Sequence, residues 1–181
     1  KIKYMFPKAH AAAYQIGAIR LAYFKVYHPV EFYAAIFTVR GDDLDGGIVM
    51  KGHEAVKRKI KEMRAMESLN KGEEDQLTML EVANEMLARG VEILPVDLYK
   101  SDAKVYKIED GKIRLPFSAM SGTGEAAAVA LMNARDDGQG EYMSREDLQQ
   151  RAGISKSVME TLEACGALEG LPESTQISFF S

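Results

Sequence analysis

The chain has 181 residues, of which 46% are apolar, and its formal net charge is −4. This length supports one ordinary hydrophobic core or two small ones. The single cysteine, Cys165, excludes an internal disulfide and a zinc site built from several thiolates. It favours a reducing, cytoplasmic environment and a packed, unreactive thiol. The acidic balance also excludes a protein that coats nucleic acid with a uniformly basic surface.

The charges are unevenly distributed along the chain. Residues 1–28 contain five lysine or arginine residues and no acid, whereas residues 29–181 contain 18 basic and 27 acidic residues. The N-terminal part is therefore predicted to present a local surface to anions.

A long helix is predicted from Pro7 to Tyr27, because proline suits the first turn of a helix and strong helix formers follow it. Its apolar residues lie on nearly every side, which is typical of a helix buried among others. Arg20 and Lys25 interrupt the apolar segment, so we expect no membrane span and no membrane partner. His28-Pro29 ends this helix, and Val30–Val39 is predicted as a second, short helix. The chain opens without an initiator methionine or a signal sequence, which predicts a piece of a longer protein.

The loop Gly41–Gly47 contains three aspartates. Their spacing to glycine does not fit an EF-hand calcium loop. We interpret them as turn and helix-capping residues, and the sequence predicts no metal site in this chain.

Two further helices are predicted over Lys51–Ser68 and Glu73–Arg89. The first is rich in basic residues, and the second opens with acids that suit a helix N-terminus. The favoured interpretation is a helical hairpin with solvated charged faces, and a phosphate contact from the first helix is the alternative. The basic residues of that helix are Lys51, Lys57, Arg58, Lys59, Lys61 and Arg64.

Strand character begins after Gly90, which is a typical helix-terminating glycine. Val91–Leu94 is predicted as a strand, and Asp110-Gly111 between two alternating segments, Ala103–Ile108 and Lys112–Leu115, predicts a β-hairpin. From Ser118 onward the pattern is helical again. The sequence therefore predicts a mainly α fold with a small β element.

Two glycine-bearing turns, each followed by a helix, are the strongest local feature after this hairpin. Met120–Gly124 precedes a predicted helix over Glu125–Arg135, and Ala152–Lys156 precedes one over Ser157–Ala164. Such turns let backbone N–H groups and a helix N-terminus approach a phosphate, as in a helix-hairpin-helix motif. Two in tandem would hold duplex DNA without reading its bases, although glycine at such a position is often only a turn residue.

Each end of the chain contains a further candidate site. At Phe6–His10, a helix N-terminus lies beside a lysine and a histidine, which suits a polyphosphate; the alternative is an ordinary helix start with an exposed lysine and a packed histidine. At the other end, Gln176–Ser181 contains three large apolar residues that would either fold back or dock into a partner. Leu171–Thr175 before it is interpreted as a flexible tether.

These segments occur together, and in this order, in one family. The residues 6–14, FPKAHAAAY, resemble the fingers helix of the C-family bacterial replicases. Together with Leu94–Tyr99, Leu115–Phe117, the paired glycine turns and Gln176–Phe180, they resemble the C-terminal part of the PolC-type DNA polymerase III alpha subunit. The resemblance extends over essentially the whole chain.

The resemblance implies roles for named residues. The fingers helix of that family lines the incoming nucleotide, which implies nucleotide binding by Lys8, His10 and Tyr14. The paired turns imply duplex contacts at Gly122, Thr123, Gly124, Gly153, Ser155 and Lys156. The tail is similar to a peptide that binds the sliding clamp, which implies clamp contacts by Gln176, Ile177, Phe179 and Phe180, with Phe179 standing where leucine is commoner.

The resemblance also implies an organisation. It gives a helical fingers portion over 1–90, a strand and hairpin connector over 91–117, a tandem helix-hairpin-helix domain over 118–168, and a flexible tail over 169–181. The family's reaction is template-directed nucleotidyl transfer with Mg²⁺ held by palm carboxylates, and its exonuclease lies in another domain. We expect no catalytic residue here, an inactive fragment, and four partners: primer-template duplex, incoming dNTP, sliding clamp and the remaining polymerase domains.

Two hypotheses from other classes remain open on the residues alone. One is a non-enzymatic helix-hairpin-helix scaffold for DNA binding or repair. The other is a helical protein-interaction module that makes no DNA contact.

Overall fold

The computed structural model describes residues 7–174 of the chain. Within this part the fold is mainly helical with one small sheet, which confirms the predicted fold class. The α-helices are α1 (Lys8–Tyr27), α2 (Pro29–Arg40), α3 (Gly46–Val49), α4 (His53–Arg64), α5 (Lys71–Ala88), α6 (Glu125–Arg135), α7 (Arg145–Ala152) and α8 (Lys156–Ala164). The strands are β1 (Ile93–Leu94), β2 (Lys107–Glu109) and β3 (Lys112–Arg114), and 3-10 turns lie at Gly41–Asp43 and Phe117–Ala119.

Helix α1 follows Pro7 as predicted, but the prediction that it is buried among other helices is wrong for this chain. None of its residues is buried, and Tyr14, Ile19 and Tyr27 are each about two-thirds exposed. Its C-terminal part packs on α2, and the Lys25 ammonium donates to a Glu85 carboxylate oxygen on α5 at 2.7 Å. The apolar residues that suggested burial therefore form an open surface on the described part of the chain.

Helices α2, α4 and α5 form the centre of the first half. Tyr33 and Phe37 of α2 pack with Leu80 and Met86 of α5, and all four side chains are buried. Helix α5 begins with a capping box, in which the Asn70 side chain accepts from the backbone N–H of Glu73 and the Glu73 carboxylate accepts from that of Asn70. The predicted aspartate loop also has a capping role, since Asp45 Oδ1 accepts from Ile48 N at 3.2 Å at the start of α3.

The sheet has the strand order β1, β3, β2. Strands β2 and β3 form the predicted antiparallel hairpin, with Ile108 opposite Ile113, and β1 adds to β3 in parallel. Asp110 and Gly111 both have positive φ, at 52° and 75°, as the two central residues of a type I′ turn require. Local turn chemistry therefore determines this part of the fold.

One continuous set of buried side chains runs through both halves, from Tyr33 on α2 to Leu168 beyond α8. The halves approach closely at Gly46, where a Cβ atom would lie 2.7 Å from the backbone oxygen of Ala119. Only glycine fits there without displacing backbone. The predicted segments 1–90, 91–117 and 118–168 thus share one core over their described residues. Within residues 7–174, no helix is both long and apolar enough to cross a membrane.

Candidate nucleic-acid interface

The two glycine turns have equivalent backbone geometry. Gly122 and Gly153 both have positive φ, at 91° and 61°, which favours glycine at each position. Two residues later, Gly124 and Ser155 are the N-caps of α6 and α8, with φ and ψ of −67° and 163° in one case and −71° and 159° in the other. The predicted pair of glycine turns, each opening a helix, is therefore present.

The middle residue of each turn points into the core. Thr123 is 5% exposed and Ile154 is 6% exposed. The backbone N–H of Thr123 already donates to the Met120 carbonyl at 2.9 Å, and its buried hydroxyl has no hydrogen-bond partner within the described residues. These contacts correct the predicted role of Thr123, because neither its side chain nor its N–H faces a phosphate. Thr123 instead anchors the first turn, as Ile154 anchors the second.

The flanking positions of both turns lie on the surface. Gly122, Gly124, Gly153, Ser155 and Lys156 are all exposed, and a Cβ at Gly124 or Gly153 would meet no heavy atom within 4 Å. Each helix start therefore faces open space and carries N–H groups that the helix itself cannot pair.

The two helix starts differ in capping. Ser155 Oγ accepts from Val158 N at 3.4 Å on α8, whereas no side chain in the described part of the protein caps α6. The N-terminal N–H groups of α6 are consequently the more open of the two sets.

Contacts between the hairpins fix their relative position. Helix α6 packs on α7, and the Thr161 hydroxyl on α8 lies 3.5 Å from the Ser121 carbonyl oxygen in the first turn. The first turn therefore rests on the helix that follows the second turn.

Arg151, in the last turn of α7, connects these elements and was not singled out by the sequence. Its guanidinium donates to Asp137 Oδ1 at 2.8 Å and to the Ala134 and Gly140 carbonyls, and it lies 4.5 Å from the centre of the Tyr142 ring. The arginine side chain is only 7% exposed. This hydrogen bond lowers the pKa of Asp137, and burial raises the pKa of Tyr142 to about 12. In sequence, Arg151 is simply one basic residue of a polar helix.

The predicted nucleotide residues lie at the start of α1. His10 and Tyr14 are one helical turn apart, with ring centres 4.6 Å from each other in an edge-to-face arrangement. Lys8 lies toward another side of the helix, since successive residues are about 100° apart. Within the described residues no side chain caps this helix, and its first turn contains no acid. The structure brings His10 and Tyr14 together but leaves Lys8 apart from them.

A cleft of about 350 Å³ lies beside the first glycine turn. Asp42, Asp43, Asp45 and Glu73 line it together with Ser121. Its carboxylates do not form a metal centre, because residues 7–174 contain no group of three His, Cys, Asp or Glu side chains placed to hold an ion. The binding of Mg²⁺ outside this chain stays a prediction.

The segment before the tail is attached to α7. Arg145 N donates to the Pro172 carbonyl at 2.9 Å, and Glu146 N donates to the Glu173 carbonyl at 3.2 Å. The predicted flexible tether is thus bound to the protein through Glu173. The predicted clamp residues Gln176, Ile177, Phe179 and Phe180 lie outside the described residues.

Ion pairing divides the basic residues of the chain into two groups. From Arg89 to Lys156, every lysine and arginine has a carboxylate partner within 4 Å. Within residues 7–174, the basic side chains that have no such partner all belong to the first half: Lys8, Arg20, Arg40, Lys51, Arg58, Lys59, Lys61 and Lys71. The part of the chain that contains the two glycine turns, from Arg89 to Lys156, therefore offers few free cations to an anionic ligand.

Residues 90–176 match the family described as a helix-hairpin-helix motif, which agrees with the paired turns. Proteins described as DNA polymerase III PolC-type are similar over nearly the whole chain. Identity is 50% over 182 residues for the protein of Halalkalibacterium halodurans, 47% over 181 residues for that of Clostridium perfringens and 43% over 180 residues for that of Thermotoga maritima.

Each of these alignments includes 99% of this chain, yet the chain spans only 12 or 13% of the length of the curated relatives. The similarity is high, continuous and accompanied by the expected motif. Over nearly its whole length, the chain is therefore similar to one segment of proteins described as DNA polymerase III PolC-type.

Proposed function

We propose that this chain is the segment of a replicative DNA-directed DNA polymerase that holds the primer-template duplex by its backbone. The observation that carries the proposal is the pair of outward-facing helix starts at Gly124 and Ser155, with nearly identical backbone geometry and open space in front of each. The name shared by the relatives, DNA polymerase III PolC-type, supports polymerization as the reaction of the complete protein.

The chemistry of these helix starts suits phosphate. Unpaired N–H groups and the positive end of the helix dipole both favour an anion at an N-terminus. The α6 start has no side-chain cap, and the Lys156 side chain at the α8 start is 87% exposed. Contacts of this kind fix the position of a duplex and carry no sequence information. A polymerase that copies any template requires such sequence-independent contacts.

Introducing a carboxylate at the start of α6 tests this proposal. Aspartate is a good N-cap, so Gly124→Asp is expected to leave α6 at least as stable as before. Its charge would face the phosphate, and losing one charge-assisted contact costs about 1.5–3 kcal/mol, or roughly tenfold or more in duplex affinity. The measurement is fluorescence anisotropy with a labelled duplex at low salt.

Gly124→Ser is the matched control, because serine is the residue that the second turn uses at the same position. It caps the helix without adding charge and should retain most of the binding. Equal duplex affinities for Gly124→Asp, Gly124→Ser and the original chain would show that α6 does not contact phosphate. Thermal unfolding of the three proteins verifies that they are folded.

We also propose that the start of α1 contacts the triphosphate of the incoming dNTP. The uncapped helix start, the absence of acid in its first turn and the exposed Lys8 support this assignment, and the His10–Tyr14 ring pair would face the base or the phosphates. His10 and Tyr14 share one side of the helix, so they would act as a unit.

Lys8→Ala in the full-length polymerase is expected to raise the KM for nucleotide by roughly tenfold, since one ammonium-phosphate contact is lost. The kcat should change less if the contact is already made in the ground state. Steady-state kinetics with a primed template gives both values, and Arg20→Ala serves as a control on the same helix. A normal KM for Lys8→Ala would remove Lys8 from the triphosphate site.

The remaining polymerase domains are the partners proposed for the open apolar surface. The relatives are about eight times as long as this chain, and α1 and α2 expose a groove of about 460 Å³ lined by Leu21, Phe24, Phe32 and Ile36. Burial of such a surface against the rest of the same polypeptide would remove apolar area from water. Mg²⁺ and the catalytic carboxylates would be supplied by those domains, so the isolated chain should not polymerise nucleotides.

A further inference from the structure

The unpaired cations of the protein are concentrated around α4. The segment Lys51–Arg64 contains six basic and two acidic residues, in a chain whose formal net charge is −4. Half of the basic side chains without a carboxylate partner in residues 7–174 lie between positions 51 and 61. No other stretch of the described chain combines so many free cations.

One face of α4 is buried and the other carries these charges. Ala55, Val56, Ile60 and Met63 pack into the core, whereas Lys57, Arg58 and Lys61 are exposed. Only Lys57, at the N-terminal end, is paired with an acid of the same helix, namely Glu54. Beyond it, Arg58 and Lys61 are exposed without a carboxylate partner, Lys59 is half-buried at the edge of this face, and Glu62 is the one exposed acid among them.

Helix stability accounts for only part of this arrangement. Glu54 and Glu62 each lie four residues from Arg58, which is a stabilising spacing, but Lys57 and Lys61 are four residues apart and Arg58 and Lys61 are three apart, and like charges at these spacings destabilise a helix. A solvated helix face that serves only stability typically carries acids and bases in alternation. A ligand of opposite charge that binds this face gives the arrangement a physical reason.

We propose that α4 is a second contact surface for the phosphate backbone of DNA, separate from the glycine turns, with Arg58, Lys59 and Lys61 as its principal cations and Lys51 at its margin. We choose DNA as the ligand because the cations from Arg89 to Lys156 are paired with carboxylates, so the glycine turns in that range contribute mainly backbone N–H groups. Most of the counterion release that drives association with a polyanion would then come from α4. Only the choice of DNA as the ligand rests on the function proposed above.

The test is the salt dependence of DNA binding by the 181-residue chain carrying Arg58→Gln, Lys59→Gln and Lys61→Gln together. Each lost phosphate contact lowers the slope of log Kobs against log salt by about 0.9 on duplex DNA and about 0.7 on a single strand. We therefore expect the duplex slope to fall by about two to three. Binding to a blunt duplex, a duplex with a 5′ overhang and a single strand would identify which form of DNA contacts α4.

The control replaces three lysines that have partners, Lys100, Lys107 and Lys112, with glutamine. It changes the net charge of the chain by the same amount and should leave the slope nearly unchanged. Circular dichroism verifies folding, and removal of like charges should not weaken α4. Should the triple variant misfold, Arg58→Gln and Lys61→Gln are made singly, and each is expected to lower the duplex slope by about 0.9, whereas unchanged slopes for both would overturn the proposal.

The outcomes separate this inference from the proposed function. Unchanged slopes on every form of DNA would overturn the α4 proposal and leave an acidic protein surface as the ligand to seek. Loss of binding by Gly124→Asp with a normal α4 variant assigns the duplex to the turns alone and also overturns it. Loss of binding by the α4 variant with a normal Gly124→Asp supports α4 and contradicts the turns.

Discussion

Deleting Gln176–Ser181 is expected to abolish association of the full-length polymerase with the sliding clamp. The deleted peptide contains Ile177, Phe179 and Phe180. Burying one such side chain in a partner contributes about 1.5–3 kcal/mol, so the loss of two phenylalanines alone would weaken binding by more than roughly a hundredfold.

The attachment of the preceding segment limits where the clamp would lie. Backbone hydrogen bonds hold the chain to α7 through Glu173, and the Arg145 guanidinium lies 3.4 Å from the Glu173 carboxylate. Three residue steps separate Glu173 from Gln176, which span at most about 11 Å. The clamp pocket would therefore lie close to the start of α7.

Surface plasmon resonance with immobilised clamp measures this association. Phe180→Ala should lose most of the affinity, whereas Ser181→Ala is the matched control at the neighbouring position and should bind normally. Phe179→Leu introduces the residue that is commoner in the family's peptide and should bind at least as well. Wild-type binding by the deletion variant would place the clamp contact elsewhere in the polymerase.

Arg151→Met is expected to destabilise the chain on the order of 2 kcal/mol, because it removes hydrogen bonds from a charged group whose side chain is 7% exposed. The variant would leave the Ala134 and Gly140 carbonyls without this donor and remove the cation from the Tyr142 ring. Because the carboxylates that Arg151 contacts are partly solvated, the effect should fall below that of a fully buried ion pair. Urea unfolding monitored by circular dichroism measures it.

Lys112→Met is the control for Arg151→Met. It removes a half-exposed lysine that pairs with the exposed Glu92, and such a surface pair contributes at most about 1 kcal/mol. Equal stabilities for the Arg151 variant and the original chain would show that the network does not hold the hairpins together.

The same network predicts a dependence of stability on pH. The hydrogen bond from Arg151 lowers the pKa of Asp137 in the folded protein. The carboxylate therefore stabilises the fold above its unfolded pKa of about 3.9, and this contribution is lost as the pH falls through the lower folded value. In the Arg151→Met variant, the free energy of unfolding should therefore fall less steeply as the pH is lowered through that range.

Elements with a local cause could be predicted from the amino-acid sequence. Pro7 and His28-Pro29 bound the first helix, Asp110-Gly111 makes the β-hairpin, and the two glycine turns open α6 and α8. Helix caps and type I′ turns depend on residues within a few positions of each other. The ordered set of these motifs also predicted the similarity to PolC-type DNA polymerase III proteins, which the relatives confirm.

Features that depend on residues far apart in the chain could be read only from the folded protein. The same turn pattern contains an exposed Gly124 and a buried Thr123, and only packing against the core distinguishes them. An apolar pattern predicted a buried α1, but burial depends on which other surfaces meet a helix. The roles of Arg151 and the unpaired cations of α4 likewise depend on which carboxylates lie within reach. Charge pairing and burial depend on which residues lie close in space. The order of residues along the chain does not give these neighbours directly.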